Sequence, residues 1–449
     1  MPITTGKFPA KINSFNCSNN NFGFSFGNHY SKKGSRFLIA AFLLLITAFL
    51  SSACETPGSI GEEIISDDEP VKSQTVYIQD YTVSEENSFS GRLANTGVGY
   101  FEDPVYGTMK SVALLKPSIS TSDIDMIGLQ DTLALKLIFN PPVYGDSLAT
   151  STYEIYEAAE IWRGTELRFN DEIPVDMTNK IAEFQVEAGE DSIVVDLSRD
   201  FMVRFSEFFN ADTSLSSAQR DSIYINNFPG IAIVPSEANR NIRFLKTLTD
   251  EGGTTTDDEN QSITSFLLKS PNQDEDEEDG PQELPVRDWG MSFTRQSEPD
   301  YPDNIVMHNS ERVLKLNLNI PKDELETKSI VNAQLVFSKN NTPVQGNPVI
   351  KRPNTNLVRA HIFDEEPNDV MAEIFTTQPN VSTSLNDTSN AFYMDITQHV
   401  LNEVFGDTED RFLYVSIQSV NGLIYSSHFF DPNSADVNKP RVVITYVEE

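Results

Sequence analysis

"DTLALKLIF", Asp131 to Phe139, places Leu133, Leu135, Leu137 and Phe139 at alternate positions. A strand sends successive side chains to opposite faces, so a period of two lays all four on one side. A helix would scatter them around its axis. The stretch therefore reads as a strand with one face in a core. The same pattern spreads outward. "QTVYIQDYTV" (Gln74 to Val83), "ATSTYEIYEA" (Ala149 to Ala158), "DSIVVDLS" (Asp191 to Ser198) and "GIAIVPS" (Gly230 to Ser236) are β-branched, aromatic or alternating. Further on, "RVLKLNLNIP" (Arg312 to Pro321) sets Leu314, Leu316 and Leu318 against Val313 and Lys315. "SIVNAQLVFSKN" (Ser329 to Asn340), "DRFLYVSIQS" (Asp410 to Ser419) and "KPRVVITYVE" (Lys439 to Glu448) continue the series. Helical spacing is confined to a few places such as Leu197 to Phe209, apolar at 197, 201, 202, 205, 208 and 209. The expected fold class is all-β with a few short helices.

Punctuation divides the strands. Residues 250 to 285 are polar and acidic, with Gly and Pro, around a lone strand candidate "ITSFLLKS". The expected organisation is a leader (1–53), a tether (54–72), an N-terminal β-sandwich (73–270), an acidic linker (271–285) and a C-terminal jelly-roll-like sandwich (286–449). Asp196-Leu197-Ser198 and Asp395-Ile396-Thr397 each open a short helix that ends in Phe. This suggests either a duplication or a grammar common to sandwiches. Both aspartates read as helix caps.

The leader decides the address. Phe37 to Leu50 is an unbroken apolar run of fourteen residues, short of the roughly 20 that a spanning helix needs. Lys32, Lys33 and Arg36 precede it, and Ser51-Ser52-Ala53-Cys54 follows. Basic head, short apolar core and small-residue exit describe a secretory signal. The ending closely resembles the bacterial lipoprotein signal, with Cys54 as the lipidated residue, although Ser51 stands where an aliphatic residue is usual. The resemblance implies anchoring to a membrane by a lipid. Residues before the basic cluster read as upstream sequence or a misplaced start. Glu62, Glu63, Asp67, Asp68 and Glu69 resemble the acidic export signal of Bacteroidota surface lipoproteins, or form a solvated tether.

The chain has 449 residues, with 33 Lys+Arg against 67 Asp+Glu, a net charge of −34. Loss of the leader would remove Lys7, Lys11, Lys32, Lys33 and Arg36 and no acidic residue, leaving −39. Such a surface repels phosphate backbones, which excludes nucleic acid as a partner. Cys17 would leave with the leader, so core packing rather than disulfides must hold the fold.

Signatures of chemistry are missing. There is no P-loop, G-x-S-x-G, H-E-x-x-H or dinucleotide glycine pattern. "DEDEEDG" (Asp274 to Gly280) has Asp279 at the sixth loop position and Pro285 at the twelfth, where a calcium loop needs Gly and Glu. His308, His361, His399 and His428 are not spaced as zinc ligands. No metal site and no cofactor are expected. Trp162 and Trp289 are candidates for stacking on a sugar ring, against the alternative of core tryptophans. Asp103-Pro104 and Gly107 could shape a recognition loop, against the alternative of a plain turn.

Two wider resemblances follow. "L-x-L-x-L", the Asp-Ile-Thr helix entry, and Pro440, Arg441, Val442 and Tyr446 resemble a jelly-roll class of surface and carbohydrate-binding-like modules. "VGYFEDPVYGTMKSVALLKPS" (Val98 to Ser118), with Ser59-Ile60-Gly61, resembles the domain-of-unknown-function 4270 lipoproteins of Bacteroidota. That resemblance implies location and fold and supplies no activity. The expected function is a non-enzymatic, lipid-anchored outer-membrane protein at the cell surface, acting as a binding or assembly component. Its partners would be the membrane through Cys54 and an outer-membrane protein or a glycan. The alternatives are a glycan-binding accessory of polysaccharide uptake and a surface hydrolase with an unlocated carboxylate pair.

Overall fold

The computed structural model describes residues 71–119, 126–210, 214–248, 262–271, 281–344, 348–406, 411–417 and 421–448. Cys54, the acidic positions Glu62, Glu63, Asp67, Asp68 and Glu69, and the run Asp274 to Gly280 lie outside them. The protein is all-β, with five short helices among the described residues.

Asp131 to Phe139 supplies most of the first half of a long strand, Thr132–Asp146. Leu133, Leu135, Leu137 and Phe139 are buried, as their alternation requires. This strand pairs first with Ser192–Asp196 and Ser265–Lys269, then with Asn241–Lys246. From there the ladders run through Asn95–Asp103 to Gly107–Pro117 and on to Gln282–Gln296. The first residues of Gln282–Gln296 return to Ser265–Lys269, so six strands close a ring of ladders. Closure leaves no free edge within the ring. A register shift between Val286 and Asp288 marks where that last strand passes from one neighbour to the other. Such a bulge bends a strand. The helix Arg199–Phe209 lays Phe201, Met202, Phe205 and Phe209 on this core, in the predicted place. Each fully buried side chain of this kind contributes roughly 1.5–3 kcal/mol.

The second half is two sheets face to face. One orders Val71–Tyr77, Arg441–Glu448, Lys328–Ser338 and Ala391–Asp395. The other orders Val381–Ser384, Leu357–Phe363, Phe412–Ser416, Arg312–Asn317 and Asp80–Glu85. Leu314, Leu316, Leu335, Phe337, Phe392 and Ile444 fill the space between. Val313, on the opposite face of its strand, packs with Val370 and Met371.

Three expectations need correction. Gln74 to Val83 is not one strand. It breaks at Ile78-Gln79, with Val71–Tyr77 in one sheet of the second half and Asp80–Glu85 in the other. Ile78, with no exposed surface, plugs the core at the crossing. The sheets therefore do not divide at 271–285. The first two strands belong with the second half, while Gln282–Gln296 belongs with the first. Residues from Glu69 onward form one compact unit. Last, Asp196 does not cap its helix. A capping side chain must stand immediately before the first turn to reach the free N–H groups. Ser198 occupies that place and accepts from the Phe201 N–H, while Asp196 is exposed in a ladder opposite Ala134. Ahead of the helix Thr397–Phe405 that place is held by Ile396, which offers no side-chain cap, while Asp395 one residue earlier accepts the Thr397 N–H, at 3.0 Å, and the Thr397 hydroxyl in a local turn.

Candidate functional site

The Val98 to Ser118 segment forms a hairpin whose turn, Pro104 to Tyr106, is pressed against the second half. Asp103 closes the turn by accepting the Val105 N–H at 2.8 Å, the behaviour of an Asx residue. Gly107 has φ +82°, and a Cβ there would meet the Gln296 carbonyl oxygen at 2.4 Å. Turn chemistry thus explains Asp103 and Gly107. It does not explain what else Asp103 does.

Asp103 is buried and takes a bidentate ion pair from Arg352, with Nε and Nη2 each at 2.8 Å. Tyr144 donates to the same carboxylate at 3.1 Å. Burial alone would lower the Arg352 pKa, but the carboxylate bond outweighs it and holds the guanidinium charged. Burial, reinforced by the Asp103 charge, pushes the Tyr144 phenol well above its usual range. Arg352 follows a short strand, Ile350–Lys351, that adds to Thr132–Asp146 across the seam. A two-residue ladder and a buried ion pair therefore tie the halves together.

Beside this pair lies a chamber. The Tyr106 ring stacks on His428, with centroids 5.0 Å apart, and its hydroxyl donates to the Ser426 carbonyl at 3.3 Å. Tyr301 meets His428 edge-on at 4.6 Å. His428 comes from Ser426–Phe430, which pairs with Asn304–His308. Tyr106, Lys339, Asn340, Asn354, Ser427 and His428 line a cavity of about 220 Å³. Lys339 is buried, and its ammonium bonds Asn354 Oδ1 at 2.6 Å and the Thr355 carbonyl at 3.2 Å. Burial lowers its pKa to about 8. Burial also takes His428 down to about 4, so its ring is neutral at physiological pH.

A Ser–His–Glu chain runs nearby. His308 Nδ1 lies 2.8 Å from the Ser426 hydroxyl, and its Nε2 lies 3.0 Å from Glu298. The carboxylate is already engaged by Arg312 at 2.8 Å. Burial first, then the charge of Arg295, hold His308 well below its usual pKa. The chain reads as a set of bonds that fixes two strands.

Both tryptophans fall in the interior, which corrects the stacking candidates. Trp162 is 4% exposed and donates to the Pro229 carbonyl, while Trp289 is 3% exposed and donates to the Leu93 carbonyl, both at 2.7 Å. Neither offers a face to a sugar, because the ring and its N–H are both used inside. Acrylamide should therefore quench little of the tryptophan emission of the native protein, and glycans should not alter it. Quenching of half the emission at low acrylamide would refute this placement.

Sequence reasoning found the turn but not the chamber. Its members stand far apart in sequence, and pairing between distant segments, such as the bridge of Lys339 to Phe429 and the ladder of Ile350–Lys351 on Thr132–Asp146, brings them together. Among the described residues no group of three or more His, Cys, Asp or Glu is placed to hold a metal ion. None of their helices is long and apolar enough to cross a membrane.

No protein-family model matches the chain, and no curated protein matches it. Among solved structures, a "putative secreted protein" from Parabacteroides distasonis aligns over 84% of this chain and 99% of its own, at 9% identity and a TM-score of 0.19. The collagen adhesin of S. aureus aligns over 80% of this chain and 83% of its own, at 8% identity and a TM-score of 0.13. Alignments with TM-scores this low carry no argument. The class defined by the residues themselves is an all-β protein with a polar chamber at the seam of its two halves.

Proposed function

We propose that this is a lipid-anchored outer-membrane protein of the cell surface that serves as a non-catalytic binding or assembly component. What supports the reading is the stretch from Lys32 to Cys54, basic, then apolar, then small, which resembles a lipoprotein signal cleaved before Cys54, with acidic residues between it and the first strand at Val71. Without the leader the chain would carry a net charge of −39, which keeps it off anionic lipid, so covalent attachment supplies the contact. A place among the Bacteroidota lipoproteins is part of the proposal, supported by the resemblance of Ser59-Ile60-Gly61 and of the residues from Val98 to Ser118. The glycan-binding alternative loses its tryptophans and keeps only the chamber. The hydrolase alternative calls for a carboxylate pair, and the Ser426–His308–Glu298 chain is not one, with Glu298 already engaged by Arg312 at 2.8 Å.

The test is metabolic labelling with an alkyne fatty acid, combined with protease treatment of intact cells. The wild-type chain should take the label and be shaved from the surface, and Cys54→Ala should lose both label and membrane association. An unlabelled wild-type chain, soluble in the periplasm, would sink the proposal.

A further inference from the structure

We propose that the chamber beneath the 104–106 turn binds a small hydroxylated carboxylate of sugar-acid size, with Lys339 holding the carboxylate and His428 bonding a hydroxyl.

Lys339 is 3% exposed, and its ammonium meets only neutral acceptors, Asn354 Oδ1 and the Thr355 carbonyl. Its pKa is moved by burial alone, with no carboxylate acting on it. This occurs in a chain with twice as many acids as bases. An ammonium removed from water without a counter-ion is costly, and evolution has many acids here from which to supply one. Two of its three N–H bonds are used, and the third is left for an anion. Arg352 cannot play this part, because Asp103 already takes its charge through two bonds.

Hydrogen bonding supplies a second, independent observation. His428 is 2% exposed, and neither ring nitrogen has a partner. Buried polar atoms are nearly always bonded, so an orphaned imidazole on a cavity wall points to a missing group. Its neutral ring offers one donor and one acceptor, which is what a ligand hydroxyl needs. Tyr106 stacked on one side and Tyr301 edge-on at the other fix the ring's plane. Ser427 spends its proton on Asn354 Oδ1 at 3.0 Å and so presents lone pairs to a second hydroxyl.

Size and valence narrow the class. A cavity of about 220 Å³ admits one sugar ring and not a chain of them. One uncompensated cation suits a monoanion and not a phosphate dianion. A uronic or aldonic acid meets each requirement. It could arrive free or as the terminal residue of a polysaccharide. The proposal deepens the binding reading above, and the two fail separately, since lipid labelling says nothing about this chamber.

The experiment is calorimetric titration of the mature chain with D-glucuronate, beside D-glucose and inorganic phosphate. Glucuronate should saturate one site per chain, with glucose and phosphate each at least tenfold weaker. Lys339→Met should weaken glucuronate at least tenfold while retaining a cooperative unfolding transition. Should that variant not fold, the imidazole NMR signals of the wild type decide. The His428 signals, assigned with His428→Gln, should move on adding glucuronate and stay still with glucose. Absence of saturable binding, equal affinity in Lys339→Met, or unmoved His428 signals at saturation would each overturn the proposal. Competition by trigalacturonate would uphold the site and name a polysaccharide end as the source. Failure to compete, with glucuronate bound, would uphold it with the free acid as ligand.

Discussion

Asp103→Ala should destabilise the folded unit by about 3–5 kcal/mol, the cost of breaking a buried ion pair from one side. The carboxylate has no exposed side-chain surface, and the Arg352 side chain is 15% exposed, so solvent does little to screen the pair. Removing the carboxylate leaves three groups without their acceptor. They are the Arg352 guanidinium, the Tyr144 hydroxyl and the Val105 N–H. The guanidinium then stands charged at a seam with no counter-ion. Replacing both partners with apolar groups removes the orphaned charge as well as the pair, and such replacements are often close to neutral. Asp103→Leu with Arg352→Met should therefore cost less than Asp103→Ala alone. Urea unfolding of the single and double variants measures both effects. A loss under 1 kcal/mol for Asp103→Ala would mean that water, not the seam, surrounds the pair.

What was legible in the sequence follows the physics that each signal reports. Period-two alternation reports one buried face, and it located Leu133 to Phe139 and Leu314 to Leu318 correctly. The 3.6 period did the same for Phe201, Met202, Phe205 and Phe209. The helix Ser217–Asn227 was missed because it buries Tyr224 alone, so it has no apolar stripe to read. Its only announcement is the Ser216 and Gln219 capping box. Alternation also cannot say which sheet a strand joins. Residues 74 to 83 look uniform, yet two residues at their centre carry the chain from one sheet to the other. The chamber was illegible for a related reason. Asp103 and Arg352 are 249 residues apart, and nothing local to either reveals the other.

That crossing of strands leads to the second large expectation. Neither half should fold when cut at the acidic run. A fragment of residues 286–449 lacks Val71–Tyr77, which pairs with Arg441–Glu448 along seven positions. It also lacks Asp80–Glu85, which pairs with Arg312–Asn317 along six. Each loss opens an edge of unpaired backbone groups on one of the two sheets, and Ile78 is lost from between them. A fragment of residues 73–270 lacks Gln282–Gln296, the strand that closes the ring, and with it the buried Trp289, Met291 and Phe293. Aromatic truncations in a core cost roughly 3–5 kcal/mol each, and whole domains are stable by only about 5–15. Removing a strand with several such groups exceeds that margin. The chain from Glu69 to Glu449 should therefore unfold in one cooperative step, whereas both fragments should lack cooperative transitions and should bind dyes that report exposed apolar surface. Co-expression of fragments cut instead between residues 296 and 304 should fare better in the first half only, because that cut keeps the ring whole. A fragment of residues 286–449 that melts cooperatively by itself would show that the two N-terminal strands are ornaments on its sandwich rather than parts of it.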